Sequence, residues 1–287
     1  MEARDPALSG AAPARRWRRS DLLALAPAMA LLGLLFGGAL VGAAKVSLVP
    51  LGGGLGDLAT ASWAELFADL AFWDGLLFTL RVALLSTALA AIAGTALALA
   101  LRRRGVALRT LAALPVPIPH LLVAVVAVVW LGPGGLADRV LGGLPIDLIR
   151  DPGGIGIIAV YVYKEAPFIA LLLLAAMGRG LDEREEAARV MGAAAPQRFA
   201  WVIWPAIRAP LLIGCMIVAA FAIGAFEVPL AVGPNYPPTL ATYAFESTQG
   251  DVIAGEGRAA AALLVAGLIA AMLAALTVRF ARSVEGE

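Results

Sequence analysis

Six separate runs of twenty or more mostly apolar residues dominate this chain, and they fix the solvent it must fold in. They lie at about 22–44, 76–101, 111–131, 155–177, 211–232 and 259–280. A helix rises about 1.5 Å per residue, so roughly 20 apolar residues are needed to cross a hydrocarbon core about 30 Å thick. The 287 residues are 61% hydrophobic and 15% charged, with a mean hydropathy of +0.88. A water-soluble domain typically carries about 45–50% apolar and about 25% charged residues. The surplus here needs lipid as solvent. The fold class read from the sequence is therefore an all-α integral membrane protein of about six transmembrane helices.

Arginine is distributed unevenly between the connections. Arg15, Arg16, Arg18 and Arg19 precede the first run, and Arg102, Arg103, Arg104 and Arg109 separate the second from the third. Arg179, Arg184, Arg189, Arg198 and Arg208 lie between the fourth and fifth, and Arg279 and Arg282 close the sixth. The alternate connections hold little beyond Lys45, Arg139, Arg150 and Arg258. Positive charge collects on the cytoplasmic side of a bilayer. Both termini and the 178–209 loop are thus expected in the cytoplasm, in a multi-pass protein of a bacterial inner membrane. The first apolar run is longer than the 7–15 residues of a signal peptide, so it reads as an uncleaved anchor. The expected organisation is a cytoplasmic tail over 1–21, an anchor helix over 22–44, a five-helix core over 75–280 and a second tail over 281–287. On the outer side, 137–149 is expected to form a short interfacial helix, and 233–238 has the Gly and Pro chemistry of a turn.

Several function classes are excluded by what the chain lacks. One cysteine, Cys215, cannot make an intrachain disulfide, and one histidine, His120, cannot assemble a His-based metal site. No cofactor and no metal is expected. A net charge of +1 gives no field that would draw nucleic acid. The only lysines are Lys45 and Lys164, and no G-x-x-x-x-G-K-[ST] phosphate loop occurs. Nor is there a nucleophile–base pair. The chain reads as a transport subunit rather than an enzyme, and any ATP it depends on must be hydrolysed elsewhere.

The 178–209 loop has the pattern of a helix–turn–helix. Asp182 and Glu185 have capping-box spacing, and Glu185 and Glu186 lie one turn before Arg189. Gly192 permits a break, and Pro196 suits the first turn of a second helix. Pro205 and Pro210 are expected to end that helix and lead back into the membrane.

These residues carry a resemblance. Glu186-Ala187-Ala188, then Gly192, then Val202 and Trp204-Pro205 resemble the EAA loop of binding-protein-dependent ABC importer permeases, the MetI-like fold. The family's trailing isoleucine and Leu-Pro are replaced here by Val202 and Trp204-Pro205, which keep size and apolarity. The resemblance spans about 75–280. Within it, Tyr163-Lys164-Glu165-Ala166-Pro167-Phe168 and Gly233-Pro234-Asn235-Tyr236-Pro237-Pro238 look like the spermidine/putrescine, iron(III) and thiamine branch. It implies that Glu186, Ala187, Ala188, Gly192, Val202 and Pro205 couple the chain to a cytoplasmic ATP-binding subunit. It further implies a second permease subunit, identical or related, an extracytoplasmic solute-binding protein and a small-molecule substrate.

Besides Arg279 at the end of the sixth run, four charges lie inside the apolar runs, where each costs about 2.5–3.5 kcal/mol on insertion scales and calls for a reason. Lys164 and Glu165 sit near the middle of the fourth run, Arg81 near the start of the second and Glu227 near the end of the fifth. Adjacent helical residues diverge by about 100°, so Lys164 and Glu165 are badly aimed at each other. They either line a translocation path or form interhelical pairs, Lys164 with Glu227 or Arg81 with Glu165. Arg81 can instead reach to the outer interface. If those charges coupled an ion gradient, the chain would be a secondary transporter or channel, although it lacks the internal repeat usual in such carriers.

Overall fold

The computed structural model describes residues 19–49, 60–143, 148–250 and 252–285, and among them it is entirely helical. The chain divides into two units, Met1–Ala43 and Ala44–Glu287. The first contributes most of helix α1 (Arg19–Leu48), an apolar rod with Pro27 inside it. The second holds everything that follows.

Within the second unit the expected spans are present with altered ends. Among the described residues, six helical stretches are long and apolar enough to cross a membrane. The second run becomes α3 (Leu70–Leu101), the fourth opens α7 (Ile155–Val190) and the sixth lies in α12 (Val252–Glu285). Shorter helices join them: α2 (Ala61–Ala68), α4 (Val106–Ala113), α6 (Leu136–Leu141), α8 (Ala195–Arg198) and α11 (Leu240–Gly250). The interfacial helix expected over 137–149 is confined to α6, because Gly142 and Gly143 take positive φ and end it; 144–147 fall outside the described residues.

Two runs are broken where continuous helices were expected. The third is helical as α5 (His120–Leu131) only, after a turn through Pro115, Pro117 and Pro119. Proline has no N–H to donate and disfavours helical backbone in the residue before it, so three at alternate positions cannot propagate a helix. The fifth is α9 (Trp204–Gly224), an extended residue at Ala225, then α10 (Glu227–Val232). Hydropathy is blind to both breaks, since the breaking residues are themselves apolar.

Helix α7 is the central member, packed between α3 and α9. Glycines permit the close approach on both sides. A Cβ on Gly94 of α3 would stand 2.7 Å from the Ala166 carbonyl oxygen and 2.8 Å from Ile169 Cβ, and one on Gly214 of α9 would stand 3.0 Å from Leu172 Cδ2. Small residues let membrane helices pack backbone to backbone, where apolar burial gives no driving force.

Two apolar clusters result. One, towards the outer connections, includes Phe72, Phe78, Val82, Ile157, Tyr161, Val228 and Leu240. The other, towards the arginine-rich connections, includes Ala98, Ile169, Leu173, Met177, Ile203 and Ile207. Along α7 the first ends at Tyr161 and the second starts at Ile169, so Lys164 and Glu165 occupy the level between them. An aromatic belt of Trp63, Phe67, Phe72, Trp73 and Tyr243 marks the outer edge, with ring centroids 5.2–6.2 Å apart.

Candidate functional site

Lys164 is buried, and its ammonium donates to the carbonyls of Pro115 at 2.6 Å, Val116 at 3.0 Å and Ile118. These carbonyls belong to the turn that interrupts the helix; Pro119 has no N–H to offer the Pro115 carbonyl, which takes the Ile118 N–H at 3.3 Å instead. In hydrocarbon an unsatisfied backbone group costs several kcal/mol. One side chain therefore closes a break in a neighbouring segment. Glu165 turns to the same segment, with Oε1 2.9 Å from Nε2 of His120, the first residue of α5. The His120 ring lies 4.6 Å from Phe221 of α9, and Tyr161 and Phe221 are 6.0 Å apart.

Neither interhelical pair foreseen from the sequence forms. Lys164 is held by carbonyls rather than Glu227, and Glu165 by His120 rather than Arg81. The two adjacent charges diverge along the helix and each meets a different part of one broken segment. Arg81 reaches outward: its Nη2 donates to the carbonyls of Pro152 at 3.1 Å and Gly153 at 2.9 Å, and its guanidinium lies over Phe78. Glu227 opens α10, is exposed and has no ion pair among the described residues. At the outer rim Tyr236 donates to Asp74, a bond that raises the phenol's pKa above its ordinary range.

The second candidate site is the hairpin. Helix α7 bends at Gly178 (φ 31°, ψ 175°) and continues to Val190 as the first arm. Asp182 is inside this arm rather than at its start, so it does not act as a cap: the bend, not a capping box, begins the helix. Gly192 closes the arm with φ 86°. Its N–H donates to the Arg189 carbonyl and the Ala193 N–H to that of Ala188, both at 3.0 Å, which is a Schellman closure requiring a left-handed residue. Gln197 Oε1 accepts from the Ala194 N–H at 2.8 Å and opens the second arm, with Pro196 in its first turn.

The second arm does not end at Pro205 or Pro210. It passes through a π turn (Phe199–Ile203) straight into α9, with both prolines inside the rod. In the π turn the Trp204 N–H reaches back five residues to Phe199, so the ladder is already widened where Pro205 has no N–H to give.

Glu186 is exposed and pairs with Arg189 at 2.5 Å. Ala187 and Pro205 are exposed, Ala188 and Val202 half-buried, and Val202 packs on the cluster nearer the arginine-rich connections. The tip presents Val190 and Met191, each 80% exposed, and the π turn of the second arm presents Trp201, 69% exposed. The residue that sequence reasoning under-read is Glu185. Its side chain is 7% exposed and meets Arg102 at 2.6 Å, Arg103 at 3.2 Å and Arg198 at 3.6 Å. Its only visible signal was an acidic position on the buried side of the arm.

Known proteins share this arrangement. Residues 86–286 match the family described as "Binding-protein-dependent transport system inner membrane component", and the chain belongs to that family. It is 29% identical over 225 residues to the inner membrane ABC transporter permease protein YnjC of Escherichia coli (strain K12), covering 75% of this chain and 42% of that one. It is 31% identical over 184 residues to the trehalose transport system permease protein SugA of Mycobacterium tuberculosis (strain CDC 1551 / Oshkosh), covering 61% and 57%. The chain thus spans about half the length of these relatives. Among solved structures, a bacterial alginate ABC transporter in complex with an alginate pentasaccharide-bound periplasmic protein has the same fold. Its TM-score is 0.75 at 19% identity, covering 92% of this chain and 94% of that one. A second structure, of a bacterial ABC transporter involved in the import of alginate, has a TM-score of 0.72 at 21% identity, covering 91% and 96%.

Proposed function

We propose that this chain is the permease subunit of an ATP-driven importer. It forms part of the solute path in the inner membrane and takes its energy from a separate cytoplasmic ATP-binding subunit through the 178–209 hairpin. The carrying observation is the hairpin itself: a closed, doubly anchored helix pair with Val190 and Met191 exposed at its tip and Trp201 exposed on its second arm. An apolar tip on a stiff support fits a cleft in a soluble partner, and a stiff support passes on displacement that a flexible loop would absorb. Glu186, Ala187, Ala188, Gly192, Val202 and Pro205 are the coupling residues in this reading. The arginine asymmetry supports a cytoplasmic hairpin and cytoplasmic termini, with 22–44 as anchor and 75–280 as permease core.

A second permease subunit would complete the path, and an external solute-binding protein would deliver the solute. Of the intramembrane charges, Glu227 is exposed and lines the path in this proposal, as does Glu165 through His120. Lys164 and Arg81 are engaged with backbone carbonyls and position the elements around it. Within the family, the stretches 163–168 and 233–238 support a solute of the spermidine/putrescine, iron(III) or thiamine kind. A sugar bound by the solute-binding protein encoded beside this chain would remove that narrower reading.

The test is cross-linking at the tip. Met191→Cys, in a chain whose Cys215 is replaced by Ala, should cross-link to the co-expressed ATP-binding subunit and react with a membrane-impermeant maleimide in inside-out vesicles only. Labelling in intact cells, or no ATPase cross-link, would overturn the assignment. Gly192→Val in the same complex should depress solute-stimulated ATP hydrolysis and uptake together.

A further inference from the structure

Glu185 stands one residue before the EAA triplet, on the opposite side of the arm from the exposed tip. Its neighbour Glu186 is 53% exposed at the side chain and pairs locally, whereas Glu185 is 7% exposed and joins three elements. Arg102 and Arg103 follow the last residue of α3, and Arg198 belongs to α8, the start of the second arm. Arg198 also donates through Nη1 to the Ala193 carbonyl at 2.8 Å, which ties the turn between the arms. The end of α3 is itself fixed, because Arg109 of α4 donates to the carbonyls of Leu101 (3.1 Å) and Arg102.

The covalent route from the hairpin back into the fourth span is weak by comparison. It runs through Gly178, whose backbone is non-helical and whose Cβ position faces open space. Met177 and Leu181 on either side of the bend are buried, but Gly178 itself is unpacked and non-helical, so the arm can pivot there. We propose that Glu185 is a positioning residue that locks the hairpin to the cytoplasmic end of the second span, so that a push on the tip displaces α3 instead of being absorbed at Gly178. This rests on the reading that the hairpin receives the ATPase stroke. Its acidity agrees with the geometry: the Arg102 guanidinium holds the Glu185 carboxyl below the ordinary carboxylate range, so the lock is charged at neutral pH. Exposed ion pairs are worth little, but a carboxylate shielded among three guanidinium groups is not of that kind.

The experiment uses the assembled complex in proteoliposomes, with solute moved per ATP hydrolysed as the readout. Glu185→Gln should assemble and hydrolyse ATP, while solute moved per ATP falls by about 2- to 30-fold, the span of coupling changes produced by single residues. Arg102→Met should do the same, and the double variant should be little worse than either single one. Arg102→Lys, which keeps the charge, should retain most of the coupling. If Glu185→Gln failed to assemble, the Arg102→Met and Arg102→Lys pair would decide. An unchanged ratio in Glu185→Gln or Arg102→Met, or equal loss in Arg102→Met and Arg102→Lys, would overturn the inference. If the Met191→Cys cross-link to the ATPase persists in those variants, the failure is of the lock alone; if it is absent from the parent chain, the coupling reading itself fails.

Discussion

The carbonyl oxygen of Pro115 lies 2.6 Å from Lys164 Nζ, and two more carbonyls of the same turn converge on that nitrogen. The cation does not meet a carboxylate; it replaces the N–H groups that the proline turn cannot supply. Lys164→Met would leave the half-buried Val116 and Ile118 carbonyls without a donor, while Pro115 keeps the Ile118 N–H at 3.3 Å; each acceptor left unsatisfied costs about 1–3 kcal/mol. Thermal unfolding in nanodiscs should drop by several degrees, and Lys164→Arg should recover part of it. A Met variant as stable as the parent would refute this role.

Gly94 meets the backbone of α7 at Ala166, two residues from Lys164. Gly94→Ala would put a methyl 2.7 Å from a carbonyl oxygen and force α3 and α7 apart. Overpacking of this kind costs about 1–3 kcal/mol. Gly180→Ala, where nothing stands within 4 Å, should be neutral or mildly stabilising. The two unfolding midpoints, compared side by side, check the contrast.

Glu185 has a lowered pKa in the folded chain, first through Arg102. A depressed carboxylate contributes its full stabilisation above its unfolded pKa and loses it as pH falls through the folded value. Stability of the parent relative to Glu185→Gln should therefore be flat from neutral pH down to about 4.5, the ordinary value, and shrink below it. Chemical unfolding of both proteins across pH 3–7, on the order of one measurement per half unit, tests the window. A difference that vanished already at pH 6 would contradict it.

Asp69 caps α3 through Oδ1, which accepts from the Ala71 N–H at 2.9 Å, while Oδ2 accepts from the Tyr243 hydroxyl at 2.7 Å. Burial, then Asp69, pushes the Tyr243 phenol up to about 12. A raised pKa means stabilisation that is complete below the unfolded value of 10.0 and lost as pH rises towards 12. Tyr243→Phe should flatten that alkaline decline. Asp69→Ala should cost about 1 kcal/mol from the cap alone, read as a lower unfolding midpoint at neutral pH.

Span count and the hairpin were legible because both are written in local signals: apolar length, glycine and proline position, and arginine asymmetry. The ends of the third and fifth spans were not, since the residues at Pro115–Pro119 and at Ala225 raise hydropathy while breaking helix. Pro205 and Pro210 misled in the opposite direction: a widened turn directly before Pro205 absorbs its missing donor, and α9 runs on through Pro210. Pro115, His120 and Arg102, which meet Lys164, Glu165 and Glu185, lie 45 to 83 residues away in sequence. Charge alone indicated that each needed a partner, but only tertiary packing could choose Pro115, His120 and Arg102.

The turn at Phe199–Ile203 accommodates one residue more than an ordinary helix of that length requires. Each residue advances a helix by about 100°, so the surplus sets the azimuth of Trp201 and the hairpin's second arm about the α9 axis. Removing it would re-aim the arm like a key cut to a new bitting, with every lipid-facing position from Ala206 onward unchanged. Subunits of this build could thus differ in the direction their hairpin faces through a single-residue insertion or deletion, without remodelling the membrane domain.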